Sequence, residues 1–273
     1  MKPFKKILLT GAAGGLGKVL RQSLAAHTQV LRLSDMADMG AAVIDESRHE
    51  EIIACDLGNK TQTMALLEGV DAAVHMGGVA TEHSFEQILD ANIRGIFHLY
   101  EGARVHGVKR VVFASSNHAI GFHKQGEVLD ADSPQRPDSY YGLSKAYGEN
   151  MAQFYFNRYG IETVSIRIGS SFPEPIDARM LITWLSYRDL SELVRCSLTA
   201  PNVGHTIVYG VSDNKDSWWD NSKAAHLGFV PKDNTEPWRA SREVMPALAC
   251  NDLAKIYQGG AYVKLGPFTA PLN

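Results

Sequence analysis

The sequence is poor in cysteine, in net charge and in long hydrophobic runs. Its three cysteines, Cys55, Cys196 and Cys250, are odd in number and far apart, so we expect free thiols rather than a disulfide framework or a metal site. A formal net charge of −3 provides no basic surface for nucleic acid and no polybasic membrane anchor. No apolar stretch approaches the roughly 20 residues of a membrane span, and the first residues do not resemble a signal peptide. These absences predict a cytoplasmic protein without nucleic-acid or membrane partners.

Short apolar runs alternate with helix-like segments over the first two thirds of the chain. The runs predict strands at Ile7–Thr10, Val30–Leu33, Ile52–Cys55, Ala73–His75, Arg110–Ala114 and Thr163–Ile168, and a later one at His205–Tyr209. The segments between them predict helices at Gly15–Ala26, Thr61–Leu67, Phe85–Val105 and Tyr140–Tyr159. Near-continuous apolar strands joined by helices form a parallel sheet that is covered on both faces. We therefore predict an α/β fold of the Rossmann type, with a doubly wound parallel sheet and ligands at the carboxyl ends of its strands.

A glycine-rich turn, TGAAGGLG, connects the first predicted strand to the first predicted helix. Such a turn binds a dinucleotide pyrophosphate, because the helix N-terminus presents unpaired N–H groups to the anion. Gly11 allows the tight turn, Gly14 lets the backbone approach the phosphates, and Gly17 lets the helix pack close to the strand. We expect Gly15 and Leu16 to line the same cofactor site.

The residue that ends the second strand predicts which dinucleotide is bound. Asp35 follows Gly11 by 24 residues, and a carboxylate there accepts hydrogen bonds from both adenosine ribose hydroxyls and repels a 2′-phosphate. Arg32 points elsewhere if the strand alternates. The sequence therefore predicts NAD rather than NADP. Asp56, which precedes Leu57 after the third strand, is placed either to reach the adenine or to cap a helix.

Two further features follow the fourth and sixth strands. Gly77 and Gly78 come directly after the fourth strand and let the backbone close on the cofactor, whereas His75 within that strand is predicted to be a buried histidine with a hydrogen-bond partner. The chain changes character after about Gly169, where prolines become frequent and only Asp189–Leu198 and Asn221–Leu227 look helical. We predict an NAD-binding domain over residues 1–170 and a small substrate-binding cap with a C-terminal tail over 171–273, integrated with the first domain.

Tyr141 and Lys145 stand four residues apart at the start of a predicted helix, so one helical turn places both side chains on the same face. A nearby ammonium and the positive ring of an oxidised nicotinamide both favour the phenolate, which predicts a tyrosine pKa lowered from about 10 towards 7. Tyr141 is then a general base near neutral pH. Ser115 and Ser116 follow the fifth strand, where a hydroxyl can hydrogen-bond the reacting oxygen.

Taken together, these motifs resemble the extended, epimerase-like branch of the short-chain dehydrogenase/reductase superfamily over residues 6–171. The resemblance implies that Ser116 is the catalytic hydroxyl, Tyr141 the base and Lys145 its activator, and that Asn92 supports the lysine through water. The expected cofactor contacts are Gly11, Gly14, Gly15, Leu16, Gly17, Asp35, Asp56, Leu57, Gly77, Gly78, Asn92, Tyr141, Lys145 and Ile168.

Further segments are similar to the bacterial uronate dehydrogenase family across nearly the whole chain. They are Phe113–Gly121, Arg167–Pro175, Arg179–Ser186, Trp218–Ser222 and Tyr257–Gly260. This resemblance implies NAD-dependent oxidation of a hexuronate, glucuronate or galacturonate, at C1 to an aldaric acid lactone by a homo-oligomer. The expected substrate contacts are Ser116, Asn117, His118, Tyr141, Ser170 and Arg179, and Arg179 can clamp the carboxylate through two parallel hydrogen bonds. Ala80 stands where the family pattern has serine, which leaves the preferred uronate open.

Two alternatives remain at this stage. An epimerase or dehydratase acting on a nucleotide sugar shares the same motifs, although such relatives generally need a larger C-terminal region. A non-catalytic NAD-sensing regulator shares the fold but would be expected to lack the Tyr141–Lys145 pair. Function has to be argued from the site, because this fold hosts many reactions.

Overall fold

The computed structural model describes residues 2–46, 48–242 and 251–266. Within them, parallel strands form one seven-stranded sheet in the order β3-β2-β1-β4-β5-β6-β7. The strands are β1 (Phe4–Thr10), β2 (Thr28–Asp35), β3 (Glu50–Ala54), β4 (Ala72–His75), β5 (Arg110–Ser116), β6 (Glu162–Ile168) and β7 (His205–Gly210). The predicted doubly wound α/β fold is confirmed.

Helices cover both faces of the sheet. They are α1 (Gly15–Leu24), α2 (Lys60–Ala65), α3 (Phe85–Ile88), α4 (Gly95–His106), α5 (Tyr140–Tyr159), α6 (Met180–Thr183), α7 (Tyr187–Thr199), α8 (Glu236–Arg242) and α9 (Leu253–Ile256). Side chains of β1 alternate between the two faces: Ile7 and Leu9 pack in the core that contains α1 and α7, and Leu8 packs in the core that contains α4 and α5. No helix of the described ranges is both long and apolar enough to cross a membrane.

The chain reverses direction across the sheet between β1 and β4, which are neighbours although two strands separate them in sequence. Ligands of open α/β sheets bind at the carboxyl ends of the strands that flank such a point. Here those ends are joined by a hydrogen bond of 2.7 Å between Thr10 Oγ1 and His75 Nδ1. His75 is buried with a partner, as predicted, and burial lowers its pKa to about 3.

The structure corrects two helix predictions. The segment Phe85–Val105 is not one regular helix, because a π-helical stretch at Leu89–Arg94 separates α3 from α4; such segments are frequent at functional sites. The segment Asn221–Leu227 forms a 3₁₀ helix at Ser222–Leu227 rather than an α-helix. Both patterns are apolar at helical spacing, and that spacing does not distinguish the hydrogen-bond step of the helix.

Residues after 170 contribute to the sheet layer as well as to the region above it. The strand β7 pairs with β6 along its whole length, and α7 packs in the same core as α1. The segment around Gln258 instead lies against the loops that follow β5. The division at residue 170 therefore remains a prediction about domains. Cys55 and Cys196 are free, buried thiols as expected, and Cys250 lies outside the described residues.

Candidate active site

The glycine-rich turn packs against the start of the loop that follows β4. Gly11 has a φ of +69°, and a Cβ atom there would lie 2.6 Å from the carbonyl carbon of Met76. A Cβ atom on Gly17 would lie 2.0 Å from the carbonyl oxygen of Gly11. Only glycine fits both positions, and α1 therefore begins directly above the end of β1. The roles predicted for Gly11 and Gly17, tight turning and close packing, agree with this geometry, and Gly14, Gly15 and Leu16 form the first turn of the helix.

Asp35 ends β2 beside this turn. Its Oδ2 accepts a hydrogen bond of 3.0 Å from the Ala13 backbone N–H, and its Oδ1 accepts one of 3.0 Å from Ala37. Arg32 points away, as predicted, because its guanidinium bonds Glu51 and two backbone carbonyl groups at the far side of the strand. The Asp35 carboxylate beside the turn is therefore not neutralised by Arg32. Its negative charge favours ribose hydroxyl groups over a 2′-phosphate.

A loop that starts with Gly77 and Gly78 lies over the end of β4 and is fixed by Asn92. Asn92 Oδ1 accepts a hydrogen bond of 2.7 Å from the Val79 N–H, and Asn92 Nδ2 donates to the Val79 carbonyl group at 3.0 Å and to Ser144 Oγ at 3.0 Å. The structure therefore places Asn92 against the loop and against α5, whereas the resemblance implied support of the lysine through water. A Cβ atom on Gly77 would lie 2.7 Å from Leu57, and Asp56 closes a turn by accepting from the Gly58 N–H. The cap of α2 is Asn59.

Tyr141 and Lys145 lie in the first two turns of α5, buried side by side. The helix begins at Ser139, whose hydroxyl accepts from the Gly142 N–H, and the buried Glu82 carboxylate accepts from the N–H groups of Tyr140 and Tyr141. These contacts satisfy donors that every helix N-terminus leaves free. Lys145 Nζ donates to the Ala114 carbonyl oxygen at 2.8 Å and lies 5.4 Å from the centre of the Tyr141 ring.

The pKa predicted for Tyr141 is wrong for the protein without cofactor. Burial raises the pKa of Tyr141 above its ordinary value, and hydrogen bonding by Ser116 opposes that shift without reversing it. The Lys145 amine, whose own pKa burial lowers to about 8, does not reverse the rise in the Tyr141 pKa. The Lys145 ammonium also donates its hydrogen bond to the Ala114 carbonyl oxygen rather than to the Tyr141 phenol. A phenolate therefore needs a further positive charge in the site, and the oxidised nicotinamide is the one that the sequence argument already contained.

Ser116, Asn117 and His118 lie where β5 passes into a short 3₁₀ turn at Asn117–Ile120. Ser116 caps that turn through its hydroxyl, which accepts from the His118 N–H at 3.2 Å. The amide of Asn117 donates to the Ile168 carbonyl oxygen at 3.1 Å and accepts from Arg179 Nη2 at 2.8 Å. The edge of the His118 ring packs against Tyr141 with ring centres 5.8 Å apart. These residues and Tyr141 therefore form one cluster at the carboxyl ends of β5 and β6.

Arg179 is fixed against this cluster from the opposite side. Its Nε and Nη2 both donate to the Gln258 carbonyl oxygen, and its Nη1 donates to Ser170 Oγ at 3.3 Å. Since Nη2 also donates to Asn117, the paired donors of the predicted two-bond carboxylate clamp are already occupied, and one Nη1–H is left for a ligand. Burial lowers the pKa of Arg179, while Asp177, Asp138 and Tyr262 oppose that shift electrostatically. An arginine keeps its charge at any physiological pH, so the cluster contains a buried, oriented cation beside Asn117 and Ser170.

Sequence reasoning missed several residues that complete the site. Tyr262 stacks on His118 with ring centres 3.7 Å apart and an interplanar angle of 20°, and Asp138 Oδ2 lies 2.7 Å from His118 Nδ1. Gln258, fully buried, places the carbonyl group that holds Arg179. Tyr262 and Gln258 stand more than 110 residues after Tyr141 and carry no motif, and only the resemblance of Tyr257–Gly260 signalled that this segment has a role. Asp138 comes three residues before Tyr141, where a cap prediction could have singled it out.

Three of the tryptophans are buried. Trp184, Trp218 and Trp219 are 3%, 7% and 6% exposed, and Trp219 stacks on Tyr209 with ring centres 5.3 Å apart. Trp219 also stabilises the site, because its Nε1 donates to the side chain of Gln258. Ala80, the departure noted in the sequence, follows the Asn92-bound Val79 in the loop after β4.

Comparison with known proteins places this geometry in a family. A model of the NAD dependent epimerase/dehydratase family matches residues 7–196. A uronate dehydrogenase of Pseudomonas putida is 62% identical over 266 residues, which cover 97% of this chain and 98% of that protein. The crystal structure of a glucuronic acid dehydrogenase from Chromohalobacter salexigens superposes with a TM-score of 0.92 at 48% identity, covering 96% of this chain and 97% of that one. A mutant uronate dehydrogenase from Agrobacterium tumefaciens, complexed with NAD, superposes with a TM-score of 0.93 at 45% identity, covering 98% of this chain and 100% of that one.

These similarities extend over nearly the whole chain and include the tail that carries Gln258 and Tyr262. They confirm the predicted fold and the predicted cofactor, NAD. The chain belongs to the NAD dependent epimerase/dehydratase family and, within it, to the uronate dehydrogenase family.

Proposed function

We propose that the protein oxidises a hexuronate, glucuronate or galacturonate, at C1 to the aldaric acid lactone with NAD as hydride acceptor. The observation that carries the proposal is the Arg179 guanidinium, held beside Asn117 and Ser170 in the same cluster as Tyr141 and Ser116. A buried cation opposite a proton acceptor fits a substrate with a carboxylate at one end and an oxidisable hydroxyl at the other. The 62% identical relative is named uronate dehydrogenase, which supports the same conclusion.

The residues divide the chemistry between binding and proton transfer. Arg179 binds the substrate carboxylate through a charge-assisted hydrogen bond, and Asn117, His118 and Ser170 bind ring hydroxyl groups. Ser116 holds the anomeric hydroxyl, and the Tyr141 phenolic oxygen accepts its proton. Lys145 fixes α5 to the end of β5 through Ala114, and Asn92 fixes the loop after β4 to α5 through Ser144. Both contacts hold the Tyr141 phenol in position. The C1 hydroxyl of the cyclic hemiacetal gives up this proton and C1 gives up a hydride to NAD, so C1 becomes the carbonyl carbon of a lactone while the ring stays intact.

The cofactor site is fitted to NAD by the turn above β1. Gly11 and Gly17 allow the turn and α1 to pack against the backbone of Met76 and Gly11, where a side chain would clash, and Asp35 is oriented by the Ala13 N–H. The remaining cofactor contacts are proposed for Gly14, Gly15, Leu16, Asp56, Leu57, Gly77, Gly78, Asn92, Tyr141, Lys145 and Ile168. NAD, when bound, takes the hydride from C1 and brings a positive ring next to the phenol.

One experiment separates this function from its nearest rival. Purified protein is mixed with NAD and either glucuronate, galacturonate or a neutral aldose, and the absorbance of NADH is followed. We expect stoichiometric NADH with the uronates and much slower formation with the neutral sugar. An epimerase or dehydratase of a nucleotide sugar would release no net NADH, and a non-catalytic NAD sensor would produce none with any sugar, so either result would remove the proposal.

We further propose that the protein acts in the cytoplasm as a homo-oligomer, with residues 171–273 serving as the substrate-binding cap of a domain formed by residues 1–170. Phe97 of α4 and Phe154 of α5 are large apolar side chains that are partly exposed, at 38% and 48%, and such surface favours subunit contact. Light scattering of the purified protein measures the subunit count. A monomer at micromolar concentration would contradict the homo-oligomer.

A further inference from the structure

His118 is bonded on one ring nitrogen and stacked on one ring face. Its Nδ1 lies 2.7 Å from Asp138 Oδ2, and both residues are buried. Tyr262 stacks on the ring and Tyr141 meets its edge. The ring therefore has one orientation, and Nδ1 is committed to Asp138, which leaves Nε2 for another partner.

Hydrogen bonds and close packing hold the Asp138 carboxylate in place. The Ser139 hydroxyl donates to Asp138 Oδ1 at 2.8 Å while it accepts from the Gly142 N–H at 3.0 Å. The carboxylate lies at the N-terminus of the 20-residue helix α5, where the helix dipole favours negative charge. Cβ atoms built on Gly121 and Gly259 would lie 1.9 Å and 2.0 Å from Asp138 Oδ2. Two glycines from distant segments thus leave the space that this oxygen occupies.

A carboxylate oxygen accepts hydrogen bonds, so the 2.7 Å contact with Asp138 Oδ2 places the proton of a neutral His118 on Nδ1. Burial lowers the pKa of His118 and Arg179 adds to that shift, while Asp138 and Glu82 oppose it. The groups around the ring are Asp138, Glu82, Arg179 and the phenols of Tyr141 and Tyr262. The neutral ring then has a lone pair on Nε2 that can accept a hydrogen bond.

We propose that Asp138 is a positioning residue that fixes the tautomer of His118, so that Nε2 accepts a hydrogen bond from a ring hydroxyl group of the uronate. The inference rests on the proposed function and adds to it a reason why the enzyme distinguishes sugars by one ring hydroxyl group. Arg179 donates to the carboxylate at one end of the substrate, and His118 accepts from a hydroxyl further along the ring. A sugar that lacks this hydroxyl leaves Nε2 without a partner, and a site with an unpaired buried polar group discriminates strongly against such a ligand.

Replacing Asp138 by asparagine tests the assignment with little change in volume. The hydroxyl of Ser139 already accepts from Gly142 and has its proton to donate, so it orients the amide oxygen of Asn towards Ser139 and the amide nitrogen towards His118. The amide nitrogen of the new asparagine then donates to His118 Nδ1, so the ring proton moves to Nε2. Nε2 thereby changes from a hydrogen-bond acceptor into a donor. We expect kcat/KM for the preferred uronate to fall by about 10- to 100-fold, with NAD affinity and Tm close to wild type. Asp132→Asn, the same change at an exposed position, is the matched control and should leave kcat/KM unchanged.

A double-mutant cycle decides whether Asp138 acts through His118. We expect Asp138→Asn to add less than twofold to the loss caused by His118→Ala, because the tautomer no longer matters once the ring is gone. Independent losses that multiply would assign Asp138 a purely structural role and overturn the inference, as would an Asp138→Asn enzyme within twofold of wild type.

A spectroscopic readout is independent of activity. Labelling histidines with ¹⁵N and assigning His118 by comparison with His118→Asn, we expect protonated Nδ1 and unprotonated Nε2 in the wild type near neutral pH, and the reverse in Asp138→Asn. Protonated Nε2 in the wild type would overturn the inference. A wild-type protein without activity on any uronate would instead overturn the proposed function, and the NMR result would still decide the tautomer.

Discussion

The side-chain amide of Asn92 bonds both the N–H and the carbonyl group of Val79. The two distances are 2.7 Å and 3.0 Å, and a third bond of 3.0 Å continues to the hydroxyl of Ser144 on α5. One side chain thereby ties the π-helical stretch, the loop after β4 and the catalytic helix together. The position of Val79 therefore depends on this amide.

Replacing Asn92 by alanine should loosen the loop after β4, which carries the proposed cofactor contacts Gly77 and Gly78. We expect kcat to fall by about 10-fold and KM for NAD to rise, because two partly buried backbone groups of Val79 lose their partners at a cost of about 1 kcal/mol each. Steady-state kinetics with varied NAD measures both effects. Ser144→Ala removes only the third bond and serves as the milder comparison; equal losses in the two variants would contradict the role of Asn92 in holding Val79.

Tyr141→Phe removes the proposed proton acceptor and keeps the ring. We expect loss of uronate oxidation by at least about 10³-fold, in line with loss of general base catalysis, while NAD binding measured by fluorescence quenching persists. Tyr140→Phe is the matched control, since it changes the adjacent tyrosine on the same helix. Retained oxidation in Tyr141→Phe would remove the mechanism.

Arg179→Lys keeps the charge but loses the planar fork. We expect kcat/KM for uronates to fall by about 100-fold, because a lysine cannot bond Gln258, Asn117 and Ser170 at once and still direct a donor to the carboxylate. Neutral aldoses should be affected far less, so the ratio of the two rates is the decisive measurement. A uniform loss for charged and neutral sugars would show that Arg179 serves packing rather than carboxylate binding.

His75 predicts a pH dependence of stability. Burial lowers its pKa to about 3, below the ordinary value of about 6.5, so the unfolded state binds more protons between these values. The free energy of unfolding should therefore decrease as the pH falls from 7 to 5, by about 2 kcal/mol from this residue. Urea denaturation of wild type and His75→Gln at both pH values isolates the contribution. An identical pH dependence in the two proteins would contradict it.

Much of the fold could be predicted because its signals are local. The helix Tyr140–Tyr159 was predicted with the bounds that the structure has, since its N-cap Ser139 and its C-terminal Gly160 are encoded in adjacent residues. The apolar runs that predicted β1 and β6 are also continuous in sequence. The π-helical stretch was missed, because a change in hydrogen-bond step leaves no mark on apolar periodicity.

The site could be predicted only in part, because only some of its residues carry a signal in the adjacent sequence. Gly11, Asp35, Ser116, Tyr141 and Lys145 each follow a strand or open a helix, so their convergence at one sheet edge follows from the fold class. The pKa of Tyr141 could not be predicted, because it depends on how far burial outweighs nearby charges. Lys145 illustrates this: its spacing from Tyr141 predicted an activating cation, but burial lowers the pKa of that amine and its hydrogen bond goes to Ala114.

The sequence by itself determined the sheet, the glycine-rich turn, the acidic end of β2 and the Tyr141–Lys145 spacing, because each depends on residues that are close along the chain. Only the tertiary structure decided that Asp138 and Tyr262 enclose His118 and that the Gln258 carbonyl group holds Arg179. Those contacts join segments up to 144 residues apart. Their positions follow from the packing of the tail against the loops after β5 and β6, and no local pattern encodes that packing.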